Sequence, residues 1–107
     1  MRRHKFNAKP QIVDGFRFAS TAEANRYLEL MILGKCGALD NLELQPRFQL
    51  VVNGQKVGEY RADFAYRDRP GNALVVEDVK GMVTPVYRLK KKLVEAQYGI
   101  TIREIHR

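Results

Sequence analysis

The sequence has no tryptophan, one cysteine and two histidines in 107 residues, and these scarcities exclude several classes of site. Cys36 alone cannot form an internal disulfide or an all-cysteine zinc site. His4 and His106 lie near opposite ends of the chain, without the short spacing typical of metal ligands. No apolar run approaches the roughly 20 residues that span a membrane, and the first residues lack the apolar core of a signal peptide. We therefore expect a cytoplasmic protein with no membrane partner.

Acidic residues are scarce relative to basic ones. Twelve Asp and Glu against 19 Lys and Arg leave a net charge of +7, a balance that favours a polyanionic partner such as nucleic acid or an anionic membrane surface. The hydrophobic content of 45% is that of an ordinary globular chain, and the length allows one domain. We expect a basic arm over residues 1–10 and a single domain over residues 11–107.

Local patterns predict a short hairpin followed by the order α-β-β-β-α-β. Asp14-Gly15 between two apolar pairs is typical of a tight β-turn. Ser20, with Glu23 three positions later, has the spacing of a capping box at the start of the first helix. Thr84-Pro85 supplies an N-cap and an N1 proline for the second. The strands are predicted over residues 42–52, 57–66, 74–80 and 100–105. With the two helices, this order predicts an α/β fold with a mixed sheet, of the α+β type.

Periodicity also predicts which side chains are buried. In the first helix these are Ala24, Tyr27, Leu28 and Met31, and in the second they are Val86, Leu89, Leu93 and Ala96. Pro46 marks the strand over residues 42–52 as an edge strand or a bulged one. The alternation of that strand and the next requires a bulge or an odd-length loop between them. Such a bulge would bring Gln45 and Asp63 onto one face.

The most informative segment is the end of the strand over residues 74–80. Its apolar start is typical of a central strand, yet Asp78 and Lys80 share a face near its end, where burial makes charge costly. One connection between neighbouring strands could bring Asp63 to the same place. A structural salt bridge to Lys80 is one interpretation. The other is a Mg²⁺ or Mn²⁺ site, because two nearby carboxylates repel until a cation binds and these ions prefer oxygen ligands.

These residues resemble the PD-(D/E)xK nuclease superfamily. More narrowly, the chain is similar to a phage-encoded family of small endonucleases described as Holliday-junction-resolvase-like, over roughly residues 7–105. Five sequence blocks carry the resemblance: residues 18–24, 42–48, 60–64, 75–81 and 87–90. The resemblance implies a restriction-endonuclease-like core and a metal-dependent endonuclease, located in the host cytoplasm if it is phage-encoded.

The resemblance also assigns roles to individual residues. Asp63 matches the first acid of the motif, although Ala62 stands where the motif has proline. Asp78 and Lys80 match its second acid and its lysine. Glu23 matches a first-helix glutamate used by many members, with the capping box as its alternative role. The implied catalytic residues are Asp63, Asp78, Lys80 and Glu23, and the implied metal ligands are Asp63, Asp78, Val79 and Glu23.

Other polar residues are candidates for binding DNA. Gln45 could contact a phosphate or belong to a solvated strand face. In the basic run of the second helix, Lys90 flanks the apolar stripe, and Arg88 lies nearby. The basic arm offers Arg2, Arg3 and Lys5 as phosphate contacts. Glu77 is acidic and adjacent to the motif, but strand alternation turns it away from Asp78 and Lys80.

Three functions are compatible with these features. The first is a divalent-metal-dependent endonuclease that hydrolyses DNA, with structure-selective cleavage of branched DNA or a Holliday junction as one form. The second is a non-catalytic DNA-binding module, for which the positive charge suffices. The third is a small structural or inhibitory protein that binds a host partner. A homodimer follows if both strands of a duplex are cut, because one chain carries one candidate site.

Overall fold

The computed structural model describes residues 9–106, and its elements follow the predicted order with two predicted strands divided. The elements are β1 (Gln11–Val13), β2 (Phe16–Phe18), α1 (Thr21–Lys35), β3 (Leu39–Leu44), β4 (Arg47–Val52), β5 (Gln55–Arg61), β6 (Phe64–Asp68), β7 (Leu74–Lys80), α2 (Pro85–Tyr98) and β8 (Ile102–His106). No helix within residues 9–106 is long and apolar enough to cross a membrane. The architecture is a compact α+β fold.

A four-stranded mixed sheet forms the centre of the fold, in the order β3-β6-β7-β8. Antiparallel pairing joins β3 to β6 and β6 to β7, whereas β8 runs parallel to β7. The strand β7 is therefore interior, as its apolar start predicted. Side chains alternate along it, so that Val75 and Val79 pack into the cluster beneath α1 and Val76 packs into the cluster beneath α2.

Both predicted strands on either side of the Asn53-Gly54 turn are interrupted, which corrects their predicted lengths. Gln45 adopts a left-handed φ of 52° and separates β3 from β4. The backbone N–H of Gln45 donates to the Asp63 carbonyl at 2.9 Å, and that of Ala62 donates to the Pro46 carbonyl at 3.0 Å. The two breaks thus face each other. Beyond them β4 and β5 form a separate hairpin instead of continuing the main sheet.

The bulge that strand alternation requires is present in the β4–β5 hairpin. Leu50 pairs with Gly58, but Val51 pairs with Lys56, so Val57 is the extra residue. Before the bulge, Phe48 pairs with Tyr60, and Leu50 and Tyr60 belong to the core beneath α2. The bulge therefore lets the apolar residues of both strands share a face despite the two-residue turn.

The helix faces differ from the predicted ones. In α1, Leu30 is fully buried, whereas Leu28 is exposed. In α2, Tyr87 and Val94 are buried, whereas Val86 and Leu89 are 65% and 59% exposed. The Tyr87 hydroxyl donates to Glu104 of β8 at 2.9 Å, which holds the ring against the sheet and turns Val86 outward. The last strand also begins two residues later than predicted, at Ile102.

Candidate active site

Asp78 and Lys80 lie together near the end of β7, on the face toward α2. The Lys80 Nζ is 3.0 Å from Asp78 Oδ1 and 4.0 Å from the centroid of the Tyr87 ring. The Tyr60 hydroxyl donates to Asp78 Oδ2. Burial and this bond raise the pKa of Tyr60, so its hydroxyl remains a proton donor. Asp78 is almost fully buried. The Lys80 ammonium and the Tyr60 hydroxyl contact its carboxyl and offset the cost of burying it.

Asp63 reaches the same place from the break between β5 and β6. The β6–β7 ladder ends at the pair Phe64 and Glu77, and beyond it Asp63 N donates to the Glu77 carbonyl at 3.0 Å. The side chain of Asp63 then provides the acceptor that a neighbouring strand would otherwise provide, because its Oδ2 accepts from Val79 N at 2.7 Å. The interruption of the predicted strand is what directs this carboxyl to the end of β7.

The Asp63 carboxyl also lies in the electrostatic field of Glu23 and Asp78. Burial, the negative charge of Glu23 and that of Asp78 raise the pKa of Asp63 to about 8. The raised pKa favours the protonated form of Asp63 in the folded protein.

Glu23 approaches the pair from the first turn of α1. Its backbone N–H donates to the Ser20 side chain at 3.1 Å, which confirms the predicted N-cap. Its carboxyl belongs to a half-buried side chain. Burial raises the pKa of that carboxyl, as does the charge of Asp78, while Lys80 and Arg61 act in the opposite direction. The cap uses only the backbone N–H of Glu23, so its carboxyl is not needed for the cap. The charges of Asp78 and Lys80 act on that carboxyl.

The fit of a metal ion depends on these carboxylates. Within residues 9–106, no group of three His, Cys, Asp or Glu side chains is arranged so that it could hold a metal ion as it stands. Asp78 instead accepts from Tyr60 and contacts Lys80, and the raised pKa of Asp63 favours its protonated form. The candidate donors are the carboxylate oxygens and the Val79 carbonyl, and oxygen is the ligand type that Mg²⁺ and Mn²⁺ prefer. The donor chemistry fits such an ion, provided that the ion takes over the charge balance from the proton.

An open cleft of about 480 Å³ lies beside Lys80, between the β4–β5 hairpin and the start of α2. Four cationic side chains line it: Arg47, Arg61, Lys80 and Lys90. Arg47 and Arg61 are directly opposed across the hairpin, and Glu59 lies 3.8 Å from Arg47. Like charges opposed on a hairpin are destabilising unless an anion offsets them. The cleft therefore has the charge and the open shape that suit a phosphate backbone.

The remaining candidate residues are distributed differently. Lys90 lines the cleft, whereas Arg88 is exposed elsewhere on α2. Gln45 is half-buried and joins Asp63 through the main chain. Val79 contributes its N–H to Asp63. Glu77 lies on the opposite face of the sheet, where it contacts Arg26. Arg2, Arg3 and Lys5 lie outside the described residues.

Sequence reasoning missed three residues of this region: Tyr60, Arg47 and Arg61. Arg61 could have been found, because it lies two positions before Asp63 and residues two apart on a strand share a face. Arg47 gave no comparable signal, because its approach to the cleft depends on the break at Gln45 and Pro46.

Comparison with known proteins places the chain in a family. Residues 3–105 match the model of the family described as "Protein of unknown function (DUF1064)". No curated protein matches the chain significantly, and no solved structure does so either. Because the match covers nearly the whole sequence, the chain belongs to the DUF1064 family.

Proposed function

We propose that the protein is a divalent-metal-dependent DNA endonuclease of the PD-(D/E)xK type that hydrolyses phosphodiester bonds. The observation that carries this proposal is the convergence of Asp63, Asp78 and Lys80 at the end of β7, beside a basic cleft. The order α1, β3, β6, β7, α2, β8, with the β4–β5 hairpin inserted, supports a restriction-endonuclease-like core.

The cationic side chains of the cleft bind the DNA in this proposal. Arg47 and Arg61 contact phosphates from the hairpin, and Lys90 contacts them from α2. Such contacts neutralise phosphates without reading sequence, which suits an enzyme that selects DNA by its shape, such as branched DNA. They bring the backbone of the DNA toward Lys80, which lines the same cleft.

The carboxylates would hold the metal. Asp63, Asp78 and Glu23 would supply side-chain oxygens, and Val79 would supply its carbonyl. A bound Mg²⁺ or Mn²⁺ would act as a Lewis acid on the phosphodiester. Lys80 offsets the negative charge that develops on the phosphoryl oxygens. Tyr60 holds Asp78 in place through its hydroxyl.

Supercoiled plasmid provides the direct test. We expect nicked or linear product with Mg²⁺ or Mn²⁺ and none with EDTA. Asp78→Asn and Lys80→Ala should each lower the cleavage rate about 10²- to 10³-fold, the usual effect of removing a group that stabilises the transition state. Glu43→Gln, which removes an exposed carboxylate of β3, is the control and should retain the wild-type rate.

Two results would contradict the proposal. A folded Asp78→Asn or Lys80→Ala variant that cuts at more than roughly a tenth of the wild-type rate would remove that residue from the site. A wild-type protein that binds DNA but cuts neither plasmid nor branched DNA with either metal would be a DNA-binding module. If linear product forms in single encounters, sedimentation should detect a homodimer, because each chain carries one site.

A further inference from the structure

Glu77 is a charged residue at the centre of the fold. Its side chain is fully buried in the interior strand β7, on the face that α1 covers. The nearest alternate positions on that face are the core residues Val75 and Val79. A buried carboxylate is costly unless it is paired and hydrogen-bonded. The partners of Glu77 therefore indicate its role in the fold.

The main partner of Glu77 is Arg26, on α1. The Arg26 Nε lies 2.8 Å from Glu77 Oε1, and its Nη2 lies 2.6 Å from Oε2, so the guanidinium binds both carboxylate oxygens. The Tyr66 hydroxyl also donates to Oε2. Arg103 Nη1 is 3.9 Å away on β8. A two-point contact between planar groups fixes both distance and orientation, and it therefore ties α1 to β7 in one register.

The same pair touches every segment that carries a candidate metal ligand. Arg26 follows Glu23 by three positions in α1, so the two side chains lie on neighbouring positions of one helix face. The carbonyl of Glu77 accepts the backbone N–H of Asp63 at 3.0 Å. Asp78 is the next residue of β7, on the other face. Glu77 thus holds α1 by its side chain and Asp63 by its main chain.

An apolar pair in this place would permit other arrangements. Replacing a buried ion pair with apolar residues is often neutral or stabilising, so stability alone does not require the pair. Apolar packing against β7 would leave the position of α1 along the strand less strictly defined, whereas the bidentate contact has one geometry. A small displacement of α1 would move Glu23 away from Asp78.

We propose that Glu77 and Arg26 are positioning residues, which hold the first turn of α1 so that Glu23 meets Asp63 and Asp78 at the end of β7. The metal-binding part of this inference rests on the proposed function. The placement of α1 does not, and it can be measured separately. The pair touches neither the cleft nor the Lys80 ammonium, so it acts through the carboxylates that it places.

The test uses the double variant Arg26→Met/Glu77→Gln. It leaves no buried charge at this position, and the amide that replaces the carboxylate can still accept from the Tyr66 hydroxyl. We expect the variant to fold and to bind Mn²⁺ about 10- to 100-fold more weakly by calorimetry, as is usual when residues that support metal ligands are lost. Glu29→Gln is the matched control, since it removes the other carboxylate that Arg26 contacts, at 2.9 Å. Its Mn²⁺ affinity should remain within about twofold of wild type.

Hydrogen exchange provides a readout that needs no metal. The amides of Glu23 and Ala24, bonded to Ser20, should exchange about tenfold faster in the double variant. The equivalent amides of Tyr87 and Arg88, bonded to Thr84, should be unchanged. Equal acceleration at both helix starts would indicate general destabilisation and overturn the proposal. The proposal would also be overturned if the double variant exchanged these amides at the wild-type rate and bound Mn²⁺ with the wild-type affinity. If the wild-type protein binds no Mn²⁺, the proposed function fails, and the exchange data still decide the role of the pair.

Discussion

At the scale of single residues, the proton on Asp63 is the feature with the clearest consequence. Burial and the charges of Glu23 and Asp78 favour the neutral form of the Asp63 carboxyl, whose Oδ2 accepts from Val79 N at 2.7 Å. Ionisation would place a second negative charge against Asp78 in a buried setting. In the proposed metal site, a divalent cation would replace this proton, so the site should exchange one for the other.

This proton predicts how stability depends on pH. The pKa of Asp63 is about 8 in the folded protein and about 3.9 in an unfolded chain. Between these values the folded state holds a proton that the unfolded state has lost, so stability should fall as pH rises from about 4 to about 8. The raised pKa of Glu23 acts in the same direction. Urea unfolding in EDTA at pH values of about 5, 6.5 and 8.5 measures the decline.

Asp63→Asn separates the contribution of this residue. An asparagine can still accept from Val79 N and can donate to Asp78, so it imitates the protonated carboxyl. We expect a shallower decline than in wild type, with the variant more stable than wild type at the highest of these pH values. Parallel curves for the two proteins would show that Asp63 is ionised throughout this range.

At the scale of elements, the β4–β5 hairpin and the start of α2 together make the cleft. The hairpin leaves the main sheet at Gln45 and Pro46 and brings Arg47 and Arg61 to the cleft. The start of α2 is fixed by the Thr84 side chain, which accepts from Tyr87 N at 3.1 Å. The break at Gln45 and Pro46 therefore sets the position of the hairpin, and the Thr84 cap sets the start of α2. The cations of the cleft come from both elements.

The hairpin predicts a local effect on DNA binding. Arg61→Ala should weaken duplex binding about tenfold and reduce the slope of log K against log salt by about 1, the value for one phosphate contact. Titration of a labelled duplex in EDTA at several salt concentrations measures both quantities. Arg17→Ala is the matched control, because Arg17 is an exposed arginine on the other hairpin and does not line the cleft.

Equal losses in Arg61→Ala and Arg17→Ala would mean that DNA binding depends on net charge and not on the cleft. A salt dependence that is flat in wild type would favour a protein partner instead of DNA. The stability of the hairpin should not decrease in Arg61→Ala, since the substitution removes an opposed pair of like charges.

At the scale of the whole molecule, metal binding should couple to folding. Mg²⁺ or Mn²⁺ that binds only the folded state stabilises it by RT ln(1 + [L]/Kd), about 2.7 kcal/mol at a concentration of roughly 100 Kd. We expect thermal melts to shift upward with either metal. The double variant Asp63→Asn/Asp78→Asn should show no shift, because both of the acids that gather at β7 are gone.

Sodium chloride at matched ionic strength is the control for this measurement, because a chain of net charge +7 responds to screening alone. An equal shift with sodium chloride would remove the evidence for a specific metal site. A shift that persists in the double variant would place the metal elsewhere. Either result would leave Asp78 and Lys80 as a structural salt bridge.

Features that depend on neighbours in the chain were determined by the sequence. The turn at Asp14-Gly15, the caps at Ser20 and Thr84, and the extent of β7 are all as predicted. Each of these is set by interactions over a few residues. The shared face of Asp78 and Lys80 follows from strand alternation alone. The basic character of the chain follows directly from composition.

Features that depend on distant contacts were decided by the tertiary structure. The strands break where Gln45 and Pro46 meet Asp63 and Ala62, a contact between segments on either side of a hairpin. The rotation of α2 depends on the bond from Tyr87 to Glu104, 17 residues away. Glu77 is held by Arg26, 51 residues earlier. Periodicity along the chain reports which residues are apolar, but α1 is apolar around much of its surface, so only packing against the sheet selected Leu30 over Leu28.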